Sequence, residues 1–121
     1  MAYFKVTKKQ EGGGSSVEAL VDQSQYITDT FINPSTGGES PTGGWCATPF
    51  IEVVPEEVLT IATKTQGQYY FSWYDENKSW LNSFTLSDIG YMLLDVPSTA
   101  HYVRFSHQEA NMLRFMAWRG L

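Results

Sequence analysis

Hydrophobic and polar residues alternate with a period of two over most of the chain, the spacing of a strand with one buried face. The clearest example is residues 69–74, where Tyr69, Phe71 and Trp73 fall on one predicted face. The 3.6-residue period of a helix is not sustained anywhere, although residues 108–113 are long enough for one helical turn. The pattern therefore predicts a mostly β domain.

Turn-forming residues divide this alternation into short segments. The candidate strands are residues 17–21, 26–32, 49–54, 58–64, 68–74, 79–85, 91–96, 101–107 and 112–118. Residues 33–44 are rich in Gly, Pro, Ser and Thr, and we expect a long loop there with no strand interior. One apolar face per strand is typical of two sheets packed face to face. We therefore expect an all-β antiparallel sandwich of about eight strands.

The composition of residues 10–16, Gln-Glu-Gly-Gly-Gly-Ser-Ser, is that of a flexible linker. It separates a short alternating arm at residues 2–9 from the rest of the chain. We therefore divide the chain into an N-terminal arm and linker at residues 1–16 and a β-sandwich domain at residues 17–121. An arm of this length cannot fold alone, so it pairs with the body, pairs with other copies or stays mobile.

Charge is unevenly distributed along the 121 residues, whose net charge is −5. Lys5, Lys8 and Lys9 are three of the eight basic residues, and beyond residue 10 five basic residues face thirteen acidic ones, a balance of −8. Sequence-independent binding to nucleic acid needs a basic surface, so we expect no nucleic-acid partner.

The start of the chain lacks the apolar core of a signal peptide, and no run approaches the roughly 18 apolar residues of a membrane span. We therefore expect synthesis in the cytosol without a signal peptide or membrane insertion. Release from the cytoplasm by cell lysis remains compatible with this expectation.

Three segments carry a resemblance to a known family. They are Phe50-Ile51-Glu52-Val53-Val54-Pro55, the aromatic hairpin at residues 70–81, and the proline-led segment at residues 96–106. Together they resemble the jelly-roll, carbohydrate-binding-module-like domains of tail fibres and other receptor-binding proteins of phages and prophages. The resemblance covers roughly residues 26–120. It implies a jelly-roll sandwich, a location in the virion, recognition of a host-surface glycan, and a homo-oligomer that is usually a trimer.

Catalytic and metal-binding patterns are weak. His101 and His107 share a predicted strand, where six residues place them about 20 Å apart, so they cannot hold one metal ion. Cys46 has no basic neighbour in sequence to generate a thiolate, and we expect a buried or half-buried thiol. The acidic pairs at residues 56–57 and 75–76 lie in predicted turns, where solvated charge is the ordinary state. We therefore expect no enzyme activity, no metal site and no cofactor.

Sugar binding is the sharper hypothesis, because aromatic rings off the core face offer apolar surface with a polar group attached. The candidate ligand-binding residues are Trp45, Trp80, Tyr70, Tyr74, Arg104 and Trp118. Each has a simpler interpretation as part of the core or its rim, and Trp45 is the strongest candidate because it follows the Gly-rich segment. Two alternatives stay open, a structural virion domain without ligand and an accessory carbohydrate-binding module of a larger polysaccharide-degrading enzyme.

Overall fold

The computed structural model describes residues 19–87 and 89–120, so the N-terminal arm, the linker and the start of the first candidate strand lie outside the described residues. In the described part, nine strands form two antiparallel sheets that pack together. The strands are β1 (Ile27–Ile32), β2 (Glu39–Ala47), β3 (Ile51–Glu52), β4 (Val58–Thr63), β5 (Tyr69–Tyr74), β6 (Trp80–Leu86), β7 (Gly90–Asp95), β8 (Tyr102–Gln108) and β9 (Phe115–Arg119).

The order of the strands is that of a jelly roll. The large sheet has the order β1-β2-β8-β5-β6, with β3 also paired to β8, and the small sheet has the order β7-β4-β9. Beyond β9, Ala19 forms a bridge to Trp118 and extends the small sheet. From β4 onward the chain crosses repeatedly between the sheets: β5 and β6 lie in the large sheet, β7 in the small, β8 in the large and β9 in the small. The predicted fold class is confirmed.

The core between the sheets is built from the inward residues that alternation predicts. The ring of Phe71 on β5 contacts Phe105 on β8 at 5.1 Å and Phe115 on β9 at 6.0 Å between centroids. Leu59 on β4 and Trp73 on β5 are also buried. Burying such large apolar side chains is the main favourable term in folding, so this layer holds the two sheets together.

The expectation of a loop over residues 33–44 is wrong, because β2 begins at Glu39. Residues 39–41 pair with β1, and pairing with β8 begins at Trp45. Since the first half of β2 is paired on one side, it tolerates Pro41, which cannot donate a ladder hydrogen bond. The turn between β1 and β2 is shorter than expected and ends at Gly38.

Helical structure in the described part is limited to two 3-10 segments, Gln23–Gln25 and Glu109–Arg114. The second lies where the sequence allowed one helical turn. No helix among the described residues is long and apolar enough to cross a membrane.

Candidate functional site

The large sheet has an outer face, which we define as the side turned away from the small sheet. The even-numbered residues of β5 and β8 lie on it, and the odd-numbered ones face the core. The hairpin of β1 and β2, residues 27–47, folds across this face. The Ile32 amide donates to the Ser106 hydroxyl at 3.2 Å, and the Tyr74 hydroxyl donates to the Gly37 carbonyl at 2.6 Å. The hairpin therefore covers the middle of the outer face.

Tyr74 and Arg104 lie beneath this hairpin, so their expected exposure to a ligand is corrected. Both are buried. Arg104 donates from Nε to the carbonyl of Thr48 at 2.9 Å and pairs with Glu39 at 2.7 Å. Its guanidinium also lies 4.7 Å from the centroid of the Phe50 ring, and burial raises the pKa of Tyr74. Both side chains bond to residues of the hairpin, Tyr74 to Gly37 and Arg104 to Glu39, and neither faces solvent.

Beside the covered region, Phe31, Trp45 and Tyr70 form a group that we call the outer aromatic cluster. Phe31 contacts Trp45 edge to face at 5.0 Å and Tyr70 at 5.3 Å, and the Trp45 and Tyr70 centroids are 5.7 Å apart. All three side chains are half-buried, so each keeps surface toward solvent. The structure thus brings together two of the residues that the sequence singled out, Trp45 and Tyr70, and adds Phe31.

Trp80 lies on the same outer face, at the start of β6. Its ring packs against Gly37, where a Cβ atom would collide with the indole, and its Nε1–H donates to the Ser83 hydroxyl at 2.9 Å. The side chain is still 36% exposed. Phe84 lies on the opposite face from Trp80. Leu81 is an extra residue in the β5–β6 pairing, and this bulge turns Phe84 toward Phe71 on the inner side.

Trp118 is separated from the other candidates, because it lies on β9 in the small sheet. It pairs with Thr60 on β4 and, on its other side, with Ala19. Its side chain is half-buried. Trp118 therefore belongs to a different surface from Trp45, Tyr70 and Trp80.

A buried polar cluster of Tyr26, Cys46 and His107 was not foreseen as a group. The Tyr26 hydroxyl lies 2.8 Å from Nε2 of His107, Nδ1 lies 2.8 Å from the carbonyl of Gln108, and the Cys46 sulfur lies 3.8 Å from Nδ1. A carbonyl only accepts, so Nδ1 carries the proton and Nε2 accepts from Tyr26. The sequence signal for this cluster was the alternation along β8, because His107 is two residues after Phe105 and four after Val103, which both face inward.

The electrostatics of this cluster do not favour nucleophilic chemistry. Burial, with a smaller contribution from the Glu109 carboxylate, raises the pKa of Cys46 to about 12. Burial also lowers the pKa of His107, against the opposing effect of the Gln108 carbonyl. At neutral pH the thiol is therefore protonated and the imidazole neutral, and neither is exposed. The cluster satisfies polar groups inside the core.

Within the described ranges, no three His, Cys, Asp or Glu side chains come together in a group that could hold a metal ion. Comparisons of the chain with protein-family models, with curated proteins and with solved structures find no match. Similarity to known proteins therefore assigns no family to this chain.

Proposed function

We propose that this chain is a non-catalytic carbohydrate-binding module of the receptor-binding kind carried by phage tails, and that it contacts its glycan with the outer aromatic cluster and Trp80. The supporting observation is that Trp45, Tyr70 and Trp80 lie on one sheet face and all keep exposed ring surface. The C–H face of a sugar ring is apolar, so it packs on aromatic rings of this kind.

Polar groups beside the rings suit the hydroxyls of a sugar. The Tyr70 hydroxyl donates to the side-chain oxygen of Gln68 at 3.0 Å, and Gln68 is itself exposed. Two further polar side chains are exposed beside the rings. They are Thr85, which pairs with Tyr70, and Gln108, which pairs with Trp45. An apolar surface with a few neutral hydrogen-bonding groups is the usual composition of a small-molecule site.

The expected homo-oligomer, a trimer by family resemblance, is part of this proposal. Its support is the outward surface of the small sheet and the turn before β7. Three apolar side chains there are largely exposed: Ile89 at 61%, Tyr91 at 61% and Leu93 at 63%. Met116 is level with Tyr91 across the sheet, because both residues pair with Ala62 of β4. Apolar patches on a domain surface commonly mark contacts with other protein chains.

The test is binding to an array of bacterial surface polysaccharides, followed by calorimetry on the ligands found. Trp45→Ala is expected to weaken binding by at least about tenfold, which corresponds to about 1.4 kcal/mol. Phe84→Ala is the matched control, because Phe84 has the same 36% exposure as Trp80 and lies on the other side of β6. It should bind like the wild type.

Absence of binding to every polysaccharide on the array would contradict the proposal and favour a structural virion domain without ligand. A catalytic domain encoded next to this one would instead favour an accessory module of a polysaccharide-degrading enzyme.

A further inference from the structure

We infer that the outer face takes an uncharged glycan at least two sugar rings long, lying along β6 from Trp80 to the outer aromatic cluster. This inference rests on the proposed carbohydrate function and adds the charge and the minimum length of the ligand.

The length follows from the strand register. Trp80 is opposite Tyr74, whereas Tyr70 lies four residues away on β5 and opposite Thr85. At a rise of about 3.3 Å per residue the two aromatic positions are about 13 Å apart. A single sugar ring is shorter than this separation, so it contacts one position only. A chain of rings reaches both.

Between the two aromatic positions, the outer side of β6 carries two neutral hydroxyl residues with surface toward solvent, Ser83 and Thr85, while Ser72 beneath them is buried. The Ser83 hydroxyl accepts from the Trp80 indole and lies 2.8 Å from the hydroxyl of Ser72. Thr85 follows on the same side of β6 and is exposed. These groups match sugar hydroxyls and offer no charge to a carboxylate, sulfate or phosphate.

The cations of the outer face are engaged by neighbouring protein groups. Arg104 is buried against Glu39. Lys78 is exposed and precedes Trp80 by two residues, but its ammonium lies over two rings, 5.3 Å from the Phe50 centroid and 5.2 Å from the Tyr102 centroid, and Asp75 and Glu76 lie in the same turn. The remaining described cations lie in other elements. Lys64 directly follows β4, Arg114 ends the second 3-10 segment, and Arg119 is the last residue of β9.

Acidic residues lie close to members of the outer aromatic cluster in sequence or strand register. Asp29 is exposed and precedes Phe31 by two residues, and Glu109 is exposed and directly follows the β8 residue that pairs with Trp45. Glu39 keeps 51% of its side chain exposed despite its pairing with Arg104. Like charges repel, so these carboxylates disfavour an anionic glycan and leave a neutral one unaffected.

The experiment measures affinity by tryptophan fluorescence and calorimetry for two sets of probes. The first set comprises gluco-, manno- and galacto-oligosaccharides of increasing length, starting from the single sugar, together with the neutral glycans found on the array. The second comprises oligogalacturonates of the same lengths. For a neutral series that binds, affinity is expected to rise at least about tenfold from one ring to three, and the oligogalacturonates are expected to bind at least about tenfold more weakly.

Variants separate the two ends of the site. Trp80→Ala and Tyr70→Ala should each abolish the gain in affinity from one sugar ring to three, because each removes one end of the extended site. Phe84→Ala is the control for a substitution on β6, and Trp80→Tyr, which keeps a ring, should retain part of the gain.

Three results would overturn the inference. Equal affinity for one ring and for three refutes the extended site, and oligogalacturonate binding equal to or tighter than neutral binding refutes the charge preference. In both cases the proposed carbohydrate function survives. Binding of no probe and of no glycan on the array overturns both proposals together.

Discussion

His107 shows how one side chain links burial to pH. Its imidazole is enclosed in the sandwich, accepts a hydrogen bond from Tyr26 and donates one to the carbonyl of Gln108. These two bonds satisfy the neutral ring completely. Protonation would place a charge in the core and remove the acceptor that Tyr26 needs, which is why burial lowers the pKa of His107 from its ordinary 6.5.

We predict that the free energy of unfolding falls as pH decreases below about 6.5. In that window the unfolded chain binds a proton at this histidine and the folded chain does not, so acid favours unfolding. The stabilisation is fully present above 6.5 and is lost as pH falls toward the lowered pKa. Urea denaturation at a series of pH values from about 7 to about 5 measures it.

The control for this prediction is His107→Gln, whose amide offers an acceptor to Tyr26 and a donor to Gln108 without titrating. Its urea midpoint should change less with pH than that of the wild type. Equal pH dependence in the two proteins would show that His107 is not the group responsible.

The β1–β2 hairpin is the element that shapes the outer face. Its turn, residues 33–38, is held by hydrogen bonds from the Gly37 amide to the Asn33 carbonyl at 2.7 Å and from the Asn33 amide to the Gly38 carbonyl at 2.9 Å. Gly37 has a φ of 73° and lies directly against the ring of Trp80. The hairpin therefore both buries Arg104 and positions one proposed sugar-binding ring.

We predict that Gly37→Ala destabilises the protein by about 3 kcal/mol. A left-handed backbone costs a non-glycine residue about 1–2 kcal/mol, and forcing a methyl group into the Trp80 contact adds a similar amount. Gly44→Ala is the matched control, because Gly44 has a φ of 82° and nothing lies within 4 Å of the position a Cβ would take. It should cost about 1 kcal/mol, the backbone term alone.

Urea denaturation of both variants measures the difference, and equal losses would contradict a close contact between Gly37 and Trp80. Tryptophan fluorescence of Gly37→Ala gives a second measurement if it is recorded also in a Trp80→Phe background, where the change caused by Gly37→Ala should disappear.

The two sheets give the whole molecule two different outward surfaces. The large sheet is partly covered by its own hairpin and exposes aromatic rings beside neutral polar groups and carboxylates. The small sheet exposes Tyr91 and Leu93 on an acidic protein, whose whole chain has a net charge of −5. The proposed glycan contact lies on the first surface, and the proposed contact with other copies lies on the second.

We predict that the full chain self-associates and that Leu93→Lys reduces this association, because the substitution places a charge in the apolar surface of the small sheet. Light scattering coupled to size-exclusion chromatography over a range of concentrations measures it. Thr85→Lys adds the same charge to the large sheet and should leave the association unchanged. A chain that stays monomeric at all concentrations, or a Leu93→Lys variant that associates like the wild type, would contradict the prediction.

Much of the fold was predictable because strand alternation is a local property. The inward placement of Phe71 and Trp73 and the outward placement of Tyr70 follow from the period of two, and the structure confirms them. Bulges interrupt this rule. Residues 42–45 of β2 lie opposite the single residue Asp29 of β1, and Leu81 is an extra residue in β6, so both pairings shift register. Neither has a sequence signature, so the faces of nearby residues were not predictable.

The candidate site was predictable only in part. The sequence identified Trp45, Tyr70 and Trp80 as aromatic residues away from the core, and the structure places them on one face with exposed surface. It could not show that Tyr74 and Arg104 on the same face are buried. Their burial depends on a hairpin more than 25 residues earlier in the chain, whose Gly37 and Glu39 reach them.

By itself, the sequence determined the fold class and most of the core, because one apolar face per strand can be buried only by packing two sheets together. The tertiary structure alone decided which outward residues meet solvent. That outcome depends on how β1 and β2 cross the large sheet, and contacts between segments distant in the chain leave no local pattern in the sequence. Tertiary packing therefore decides that Tyr74 and Arg104 lie in the covered part of the outer face. It also decides that Trp45, Tyr70 and Trp80 lie in the open part.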